Sequence, residues 1–379
     1  MNEVRNKKVV MWRRELLPGS ETFVRSQIEN LCAWRSLALG LDKVPSPLAA
    51  DTDEVLFGQS FTDRMRRGLF TYTRLSWTLV RRLRQIKPDV VHAHFAMDGI
   101  LIAPTCRQLG IPLIVSVYGI DVTALAARSG LRGYIYKRRL ASTFKGASKI
   151  LAVSKHLADA AIQLGAPRHK VVVHRLGIAV PDAVTRSDTS VWDWDVLVVG
   201  RLVEKKGIDD LIEAASSIAR PDGSGVRVAV IGDGPLRQSL EERATLLGVH
   251  VDFLGGQSPS DVESIMNRSR VLAVPSKTAG NGDREGLPMI LLEASARYMP
   301  IAATRHSGIP EFITHGVSGL LSEEKDIEAL AANIRQLLKD EAYANTLASR
   351  ARQKVATEYN IRIQSSILEQ FYDDTVKSS

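Results

Sequence analysis

The stretch Glu285-Gly-Leu-Pro-Met-Ile-Leu-Leu-Glu293 places two carboxylates at a predicted junction between a loop and a helix. Pro288 suits the first helical turn, because the N–H that it lacks would have no partner there. Glu285 in the loop can then face a sugar, and Glu293, about two turns along the helix, can accept ribose hydroxyls. Taken alone, the stretch also fits an ordinary amphipathic helix with an acidic residue near its start.

The free backbone amides at the start of this helix, together with the helix dipole, attract a diphosphate. The sequence therefore predicts that a nucleotide-activated sugar, the donor in a transfer reaction, binds at this junction. Glu285 is predicted to be catalytic, and Glu293 is predicted to bind the donor together with Gly286, Leu287 and Met289.

A second loop carries cations where a predicted strand ends. The segment Gly200-Arg-Leu-Val-Glu-Lys-Lys-Gly207 directly follows the apolar run 196–199. In open α/β sheets, ligands bind beyond the carboxyl ends of the strands. Arg201 and Lys206 are therefore predicted to bind the diphosphate, with a plain surface cation as the alternative for Lys206.

Apolar runs alternate with helical patterns in two successive arrays, which is typical of parallel sheets covered by helices. At 379 residues, the chain is long enough for two such domains. A polar stretch predicts a linker over 179–193, between domains at 1–178 and 194–355. Strands are predicted over 8–12, 37–41, 90–94, 113–117, 150–153 and 171–174, then over 196–199, 228–231, 251–254 and 271–274.

Two histidines end the predicted strand 90–94. His92 and His94 share a face, because side chains two residues apart on a strand point the same way. His94 is predicted to be catalytic, since a neutral imidazole can donate to a leaving phosphate or orient an acceptor. A structural histidine is the alternative, and metal binding is disfavoured because no cluster with ligand spacing accompanies the pair.

Gly19 and Ser20 follow the first predicted strand and precede a helix predicted over 21–31. Their backbone amides can approach the phosphate or sugar of the donor closely. Ser20 also suits the N-cap of that helix, and the two roles are compatible.

Taken in order, these segments resemble the retaining GT-B glycosyltransferases of family 4. The resemblance runs from Pro18-Gly-Ser-Glu-Thr-Phe23 through His92-Ala-His-Phe95 to His306-Ser-Gly-Ile-Pro-Glu311. The first two of these motifs and the segment 281–286 are most similar to the branch that builds bacterial exopolysaccharides such as colanic acid and amylovoran.

The resemblance implies an α/β fold with two Rossmann-like parallel-sheet domains facing each other across a cleft. In that fold, 1–178 would bind the acceptor, 194–355 the nucleotide sugar, and a C-terminal helix at 356–379 would cross back to the N-terminal domain. It also implies a retaining, metal-independent hexosyltransferase that uses a UDP- or GDP-sugar, needs no further cofactor, and serves surface-glycan synthesis with a lipid-linked saccharide acceptor. A nucleotide-sugar epimerase of the same fold and a non-catalytic sugar-nucleotide-binding scaffold remain the alternatives.

One motif departs from the family pattern. The usual His-Gly-x-Asp box appears here as Tyr118-Gly-Ile-Asp121. Tyr118 can donate one hydrogen bond to the donor but cannot become cationic, so either the donor sugar differs or His94 supplies the missing interaction. Asp121 is available to hold an acceptor hydroxyl, and an Asx turn or N-cap is the competing explanation.

Charge is unevenly distributed along the chain. Through Ser190, Lys and Arg outnumber Asp and Glu by 29 to 15, whereas beyond it the acids lead by 27 to 21. Cations and apolar residues interleave over 62–87, which predicts a basic amphipathic helix for an anionic membrane surface, or else a core-packing helix with a solvated cationic face. Nucleic-acid binding is disfavoured, because no recognised module accompanies the basic surface.

The expected location is cytoplasmic and peripheral, at the inner face of the plasma membrane. No apolar run approaches the ~20 residues of a spanning helix, and the N-terminus does not read as a signal peptide. Cys32 and Cys106 lack a C-x-x-C spacing and fall in predicted helices, so both are expected to be reduced packing residues.

Overall fold

The computed structural model describes residues 7–16, 18, 21–44, 46, 48–127, 129–182, 192–220 and 222–377. The chain divides into two compact units. Unit 1 comprises Met1–Ala179 and Tyr359–Ser379, and unit 2 comprises Val180–Glu358.

Unit 1 contains a seven-stranded sheet in which every pair of neighbouring strands is parallel. Its strands are β1 (Lys8–Leu16), β2 (Arg35–Lys43), β3 (Glu54–Val55), β4 (Val90–His94), β5 (Leu113–Val117), β6 (Lys149–Ala152) and β7 (Val171–Val173). The helices that connect them are α1 (Thr22–Glu29), α2 (Phe61–Thr73), α3 (Trp77–Ile86), α4 (Ala96–Leu109), α5 (Ala124–Ala127), α6 (Gly130–Gly146) and α7 (Lys155–Gln163). Strands β4 and β5 are buried along their whole length, as expected for central parallel strands covered on both faces.

Unit 2 contains a second parallel sheet, of six strands. Its strands are β8 (Trp194–Val199), β9 (Arg227–Ile231), β10 (His250–Gly255), β11 (Ser269–Val274), β12 (Ile301–Thr304) and β13 (Leu320–Ser322). Its helices are α8 (Ile208–Ser216), α9 (Arg237–Leu246), α10 (Pro259–Asn267), α11 (Met289–Ala296), α12 (Ile309–Phe312), α13 (Ile327–Lys339) and α14 (Glu341–Glu358). The two parallel sheets confirm the predicted α/β class.

The strand order identifies one point in each sheet where the winding reverses. The orders are β3-β2-β1-β4-β5-β6-β7 in unit 1 and β10-β9-β8-β11-β12-β13 in unit 2. The chain therefore changes direction between β1 and β4, and again between β8 and β11. Such switch points open a crevice at the carboxyl ends of the strands, where ligands of doubly wound sheets bind.

The last helix, α15 (Ile361–Lys377), packs against the sheet of unit 1. The Tyr372 hydroxyl lies 2.7 Å from Nδ1 of His92 on β4. The indole Nε1 of Trp34 donates to Asp373 at 2.9 Å. The Glu369 carboxylate accepts hydrogen bonds from three successive backbone amides that begin at Cys32. These contacts fix the terminal helix in unit 1 through both packing and charge.

Two sequence-based predictions about helices are wrong. The basic segment 62–87 is not one helix, because Arg74 adopts a left-handed backbone (φ 63°) that ends α2, and Ser76 then caps α3. Cys32 is exposed and lies outside a helix, because α1 already ends at Glu29, whereas Cys106 is buried in α4 as expected.

Candidate active site

The predicted cationic loop of unit 2 leaves β8 at the switch point of the sheet. Gly207, which ends it, adopts a left-handed backbone (φ 64°), and a side chain there would overlap the carbonyl oxygen of Pro275, which follows β11. Only glycine allows the two loops to approach this closely. Residues Glu204–Lys206 form a single 3-10 turn before it, which holds Lys205 and Lys206 side by side.

Both lysines approach Glu285. Lys206 Nζ lies 3.2 Å from Glu285 Oε1, and Lys205 Nζ lies 3.5 Å from the same oxygen. Lys205 also pairs with Asp283 at 3.2 Å. Burial raises the pKa of Glu285, but the two lysine charges outweigh burial, so that its pKa is lowered overall. The carboxylate is therefore ionised at neutral pH.

Glu285 Oε1 is buried, yet it receives no well-directed hydrogen bond from a described residue. Both lysine amines lie close enough to this oxygen to form ion pairs with it. Their angles to the oxygen, however, are unsuitable for hydrogen bonds. A buried carboxylate oxygen normally has a hydrogen-bond donor. This oxygen is therefore available to a hydrogen-bond donor that enters the site.

A histidine that sequence analysis left without a role holds the backbone of this loop. Nε2 of His306 accepts a hydrogen bond from the amide of Glu285 at 3.0 Å, and Nδ1 lies 2.6 Å from Glu324. Because Nε2 accepts, the ring proton sits on Nδ1 and is donated to Glu324. His306 follows β12 and Glu324 follows β13, so loops after three strands converge on Glu285.

The helix after Glu285 begins one residue later than predicted. Pro288 precedes α11 as its cap, with φ −61° and ψ 121°, and Met289 is the first helical residue. Gly286 and Leu287 are buried in the connection, and the Gly286 carbonyl accepts the amide of Gly308 at 3.0 Å. The amides at the start of α11 thus follow directly on the Glu285 loop.

Glu293 lies in α11 and is partly buried. Burial raises its pKa, and the nearby Arg297 charge opposes this effect only in part. Its carboxylate forms no hydrogen bond or ion pair with any residue that the structure describes. Arg201, by contrast, is exposed at the start of the cationic loop. Lys206 and Glu285 are therefore the predicted donor-site residues that the structure brings into direct contact.

In unit 1, the predicted catalytic His94 is completely buried. Its Nδ1 lies 2.7 Å from the Tyr118 hydroxyl, and its Nε2 lies 3.5 Å from the Met11 sulfur. Burial, followed by the nearby His92 and Arg13, holds the pKa of His94 well below its usual value, so the ring is neutral. His94 thus contacts the tyrosine that replaces the family's histidine, and it orients that hydroxyl.

Both carboxylate oxygens of Asp121 accept hydrogen bonds from backbone amides of the protein. Oδ2 accepts the amide of Ala96 at 2.7 Å, and Oδ1 accepts those of Gly119 at 3.1 Å and Tyr118 at 3.3 Å. The side chain is buried, which raises its pKa despite these hydrogen bonds. These contacts favour the turn-forming alternative over the binding of an acceptor hydroxyl. The other two predicted residues of this unit, Gly19 and Ser20, lie outside the described residues.

A buried charge network that sequence analysis missed lies at the switch point of unit 1. Arg13 on β1 hydrogen-bonds the carboxylates of Glu21 and Asp98, and its guanidinium stacks over the Phe95 ring at 4.2 Å. Burial raises the pKa of Asp98 to about 6, because desolvation outweighs the arginine charge. These residues belong to no common sequence motif. They meet because β1 and β4 are neighbouring strands of the sheet.

Two family models match the chain. The model "Glycosyltransferase Family 4" covers residues 41–180, and "Glycosyl transferases group 1" covers 188–354. The described residues contain no helix with the length and apolar character needed to cross a membrane. They also contain no group of three His, Cys, Asp or Glu side chains that could hold a metal ion.

Curated relatives agree with these models over most of the chain. The amylovoran biosynthesis glycosyltransferase AmsK of Erwinia amylovora is 32% identical over 282 residues, which cover 73% of this chain and 67% of AmsK. WcaL of Escherichia coli, assigned to colanic acid biosynthesis, is 32% identical over 290 residues, which cover 73% of this chain and 68% of WcaL.

Solved structures share the fold at low identity. Anabaena HepE in complex with UDP superposes with a TM-score of 0.79 at 19% identity, covering 97% of this chain and 100% of HepE. The chain belongs to the GT-B glycosyltransferases of family 4, as its motifs predict. Within that family it is similar to the enzymes of bacterial exopolysaccharide synthesis.

Proposed function

We propose that the protein transfers a hexose from a UDP- or GDP-sugar to a lipid-linked saccharide, with retention of configuration, during synthesis of an exopolysaccharide or related surface glycan. The observation that carries this proposal is the contact of Lys206 and Lys205 with Glu285 at the switch point of unit 2. The similarity to AmsK and WcaL supports the glycan class, and the UDP bound by HepE supports a nucleotide donor.

Cleavage of the bond between sugar and phosphate leaves negative charge on the diphosphate. Lys206, Arg201 and the first amides of α11 stabilise that charge electrostatically, and they do so without help from a metal ion or a further cofactor. The acceptor hydroxyl arrives on the face that the nucleotide leaves, and the departing phosphate helps to remove its proton. Glu285 positions sugar hydroxyls and offsets the positive charge that develops on the sugar ring.

Replacing Glu293 by alanine tests the donor site. We expect the Michaelis constant for the nucleotide sugar to rise about tenfold with little change in kcat, since ribose contacts are equal in the ground and transition states. Initial rates at varied donor concentration measure both constants. Glu263→Ala is the matched control, because Glu263 also neighbours Arg297, at 2.6 Å. A fall in kcat alone for Glu293→Ala would contradict the ribose assignment.

We also propose that unit 1 binds the cytoplasmic face of the membrane through the end of α2 and the start of α3. Tyr72 is 81% exposed and Trp77 is 74% exposed, and Leu69 and Leu75 beside them are exposed as well. Phe70, in contrast, is buried in the core. Exposed aromatic and aliphatic side chains beside a cationic helix suit the boundary of an anionic bilayer.

Replacing Arg81 and Arg84 by glutamate tests the membrane proposal. Both are exposed, whereas Arg82 pairs with Glu54 at 2.5 Å and is left in place. We expect sedimentation with phosphatidylglycerol vesicles to fall strongly at low salt, because each cation contributes on the order of 1 kcal/mol near such a surface. Lys339→Glu with Arg350→Glu is the control of equal charge in unit 2. Equal sedimentation of the α3 variant and the wild type would rule out this surface.

A further inference from the structure

A groove in unit 1 runs along α2 and faces α6, separate from the residues placed in donor binding. Its first cavity has a volume of about 430 Å³, and the adjoining cavity has a volume of about 550 Å³. The two cavities adjoin each other, since four residues line both, and together they are called here the α2–α6 groove; the shared residues are Arg14, Thr71, Tyr72 and Arg139. Its size lies in the range of ligand pockets, roughly 300–1,000 Å³.

One end of the groove has largely apolar walls. Ile100 and Leu101 come from α4, Leu125 from α5 and Ile135 from α6. Ile135 is exposed, and so is Leu131, one helical turn before it. Tyr72, at the rim, belongs to the exposed apolar end of α2. An apolar chain leaving a membrane at α2 would therefore find a continuous apolar surface leading into the groove.

The charges of the groove do not balance. Its carboxylates are already paired: Asp98 with Arg13, Glu15 with Arg14 and Asp42 with Arg67. Arg64, Arg132 and Arg139 also line the groove, and none of them forms an ion pair with a described residue. The groove therefore carries an excess of positive charge.

Arg74, directly after α2, does not line the cavities, but it lies near enough to Arg139 of the groove for the two charges to interact. Its Nε is buried and has no hydrogen-bond partner among the described residues. Burial lowers the pKa of Arg74, and the charges of Arg139 and Arg107 lower it further. Neighbouring like charges repel one another, and an anion bound beside them relieves that repulsion. Arginine presents several N–H donors in a fixed geometry that matches a phosphate group.

We infer that the α2–α6 groove binds the lipid phosphate of the acceptor. Arg139 and Arg74 would hold the phosphate, and the apolar wall of Ile100, Leu101 and Leu125 would hold the first part of the lipid chain. This inference rests on the proposed function, because it names the part of a lipid-linked saccharide that unit 1 recognises. It also explains why an exposed apolar surface occurs on α2 and α6 together with arginines that form no ion pair with a described residue.

Farnesyl phosphate, below its micellar concentration, is a suitable probe in calorimetric titrations of the full chain. We expect it to bind the wild type at least about tenfold more tightly than farnesol or inorganic phosphate, since it alone engages both the arginines and the apolar wall. In Arg74→Gln/Arg139→Gln, its dissociation constant should rise about tenfold or more. Lys137→Gln/Arg138→Gln, with two exposed cations of α6 outside the groove lining, should match the wild type.

Two further measurements distinguish this inference from the donor-site proposal and from the membrane proposal. Nucleotide-sugar binding should be equal in all three proteins, so that failure of the proposed donor site would appear there and not in the farnesyl phosphate titration. Arg139→Gln alone, which leaves Arg74 beside the proposed membrane surface in place, should weaken farnesyl phosphate binding but still sediment with phosphatidylglycerol vesicles. Unchanged farnesyl phosphate affinity in the double variant, inorganic phosphate binding as tight as that of farnesyl phosphate, or loss of vesicle binding by Arg139→Gln would each overturn the inference.

Discussion

Lys206→Ala is expected to lower kcat by about 100-fold or more, on the scale of losing one preorganised donor to a transition-state charge. The side chain has 18% exposure and reaches within 3.2 Å of Glu285, so its charge lies in the site and is only weakly screened. The substitution removes no core packing, so the fold should be retained, with a modest fall in melting temperature because Glu285 loses one of its two lysine partners. Initial rates at saturating donor and acceptor measure the effect.

Lys205→Ala is the matched control for that variant. It removes the same charge from the neighbouring position, where the side chain is 19% exposed and its amine lies nearest to Asp283. We expect a clearly smaller fall in kcat. Near-native turnover of Lys206→Ala at saturating donor, or equal losses in both variants, would show that Lys206 has no specific part in stabilising the diphosphate.

Glu285→Gln is expected to lower kcat by a similar factor, about 100-fold. The amide keeps the volume of the side chain but removes the negative charge that is proposed to offset a developing positive charge on the sugar ring. Asp283→Asn is the control, because Asp283 shares Lys205 with Glu285 but forms no ion pair with Lys206 in the part of the chain that the structure describes. A Glu285→Gln enzyme that keeps more than about half of its kcat would contradict this role.

The same variant tests the electrostatics of the free enzyme. The folded-state pKa of Glu285 is depressed, so the carboxylate stabilises the fold above its unfolded-state pKa. That stability is lost as the pH falls through the folded-state value. At neutral pH, Glu285→Gln should therefore melt below the wild type, and the difference should shrink in acid. Thermal melts across this pH range measure the trend.

The strands that position the site were largely predictable, because a buried parallel strand is a short apolar run bounded by turn residues. The predictions for β4 and β5 agree with the structure at both ends. The two-residue strand β3 was missed, because so short a segment carries no periodicity. Strands β12 and β13 were also missed, since small residues and short length weaken their apolar signal.

Contacts between distant segments of the chain were harder to predict from the sequence. The sequence placed Lys206 beyond the end of a strand and Glu285 in a loop before a helix, and the adjacency of β8 and β11 brings them together. The hydrogen bond from Glu285 to His306 depends on a third strand, β12, that was not predicted. The buried state of His94 depends on the packing of Met11 and Tyr118 around it. The periodicity of apolar residues predicts which face of a strand or helix a residue occupies. It does not predict which residue of another element contacts it there.

The central claim is that unit 2 binds a nucleotide sugar through the loop that contains Lys206. Thermal stabilisation by UDP-, GDP- and ADP-sugars tests it most directly, because a ligand that binds only the folded state raises the melting temperature by mass action. We predict that a UDP- or GDP-sugar stabilises the wild type and that the shift is much smaller in Lys206→Ala. Absence of stabilisation by every nucleotide sugar, or an equal shift in the variant, would contradict the claim.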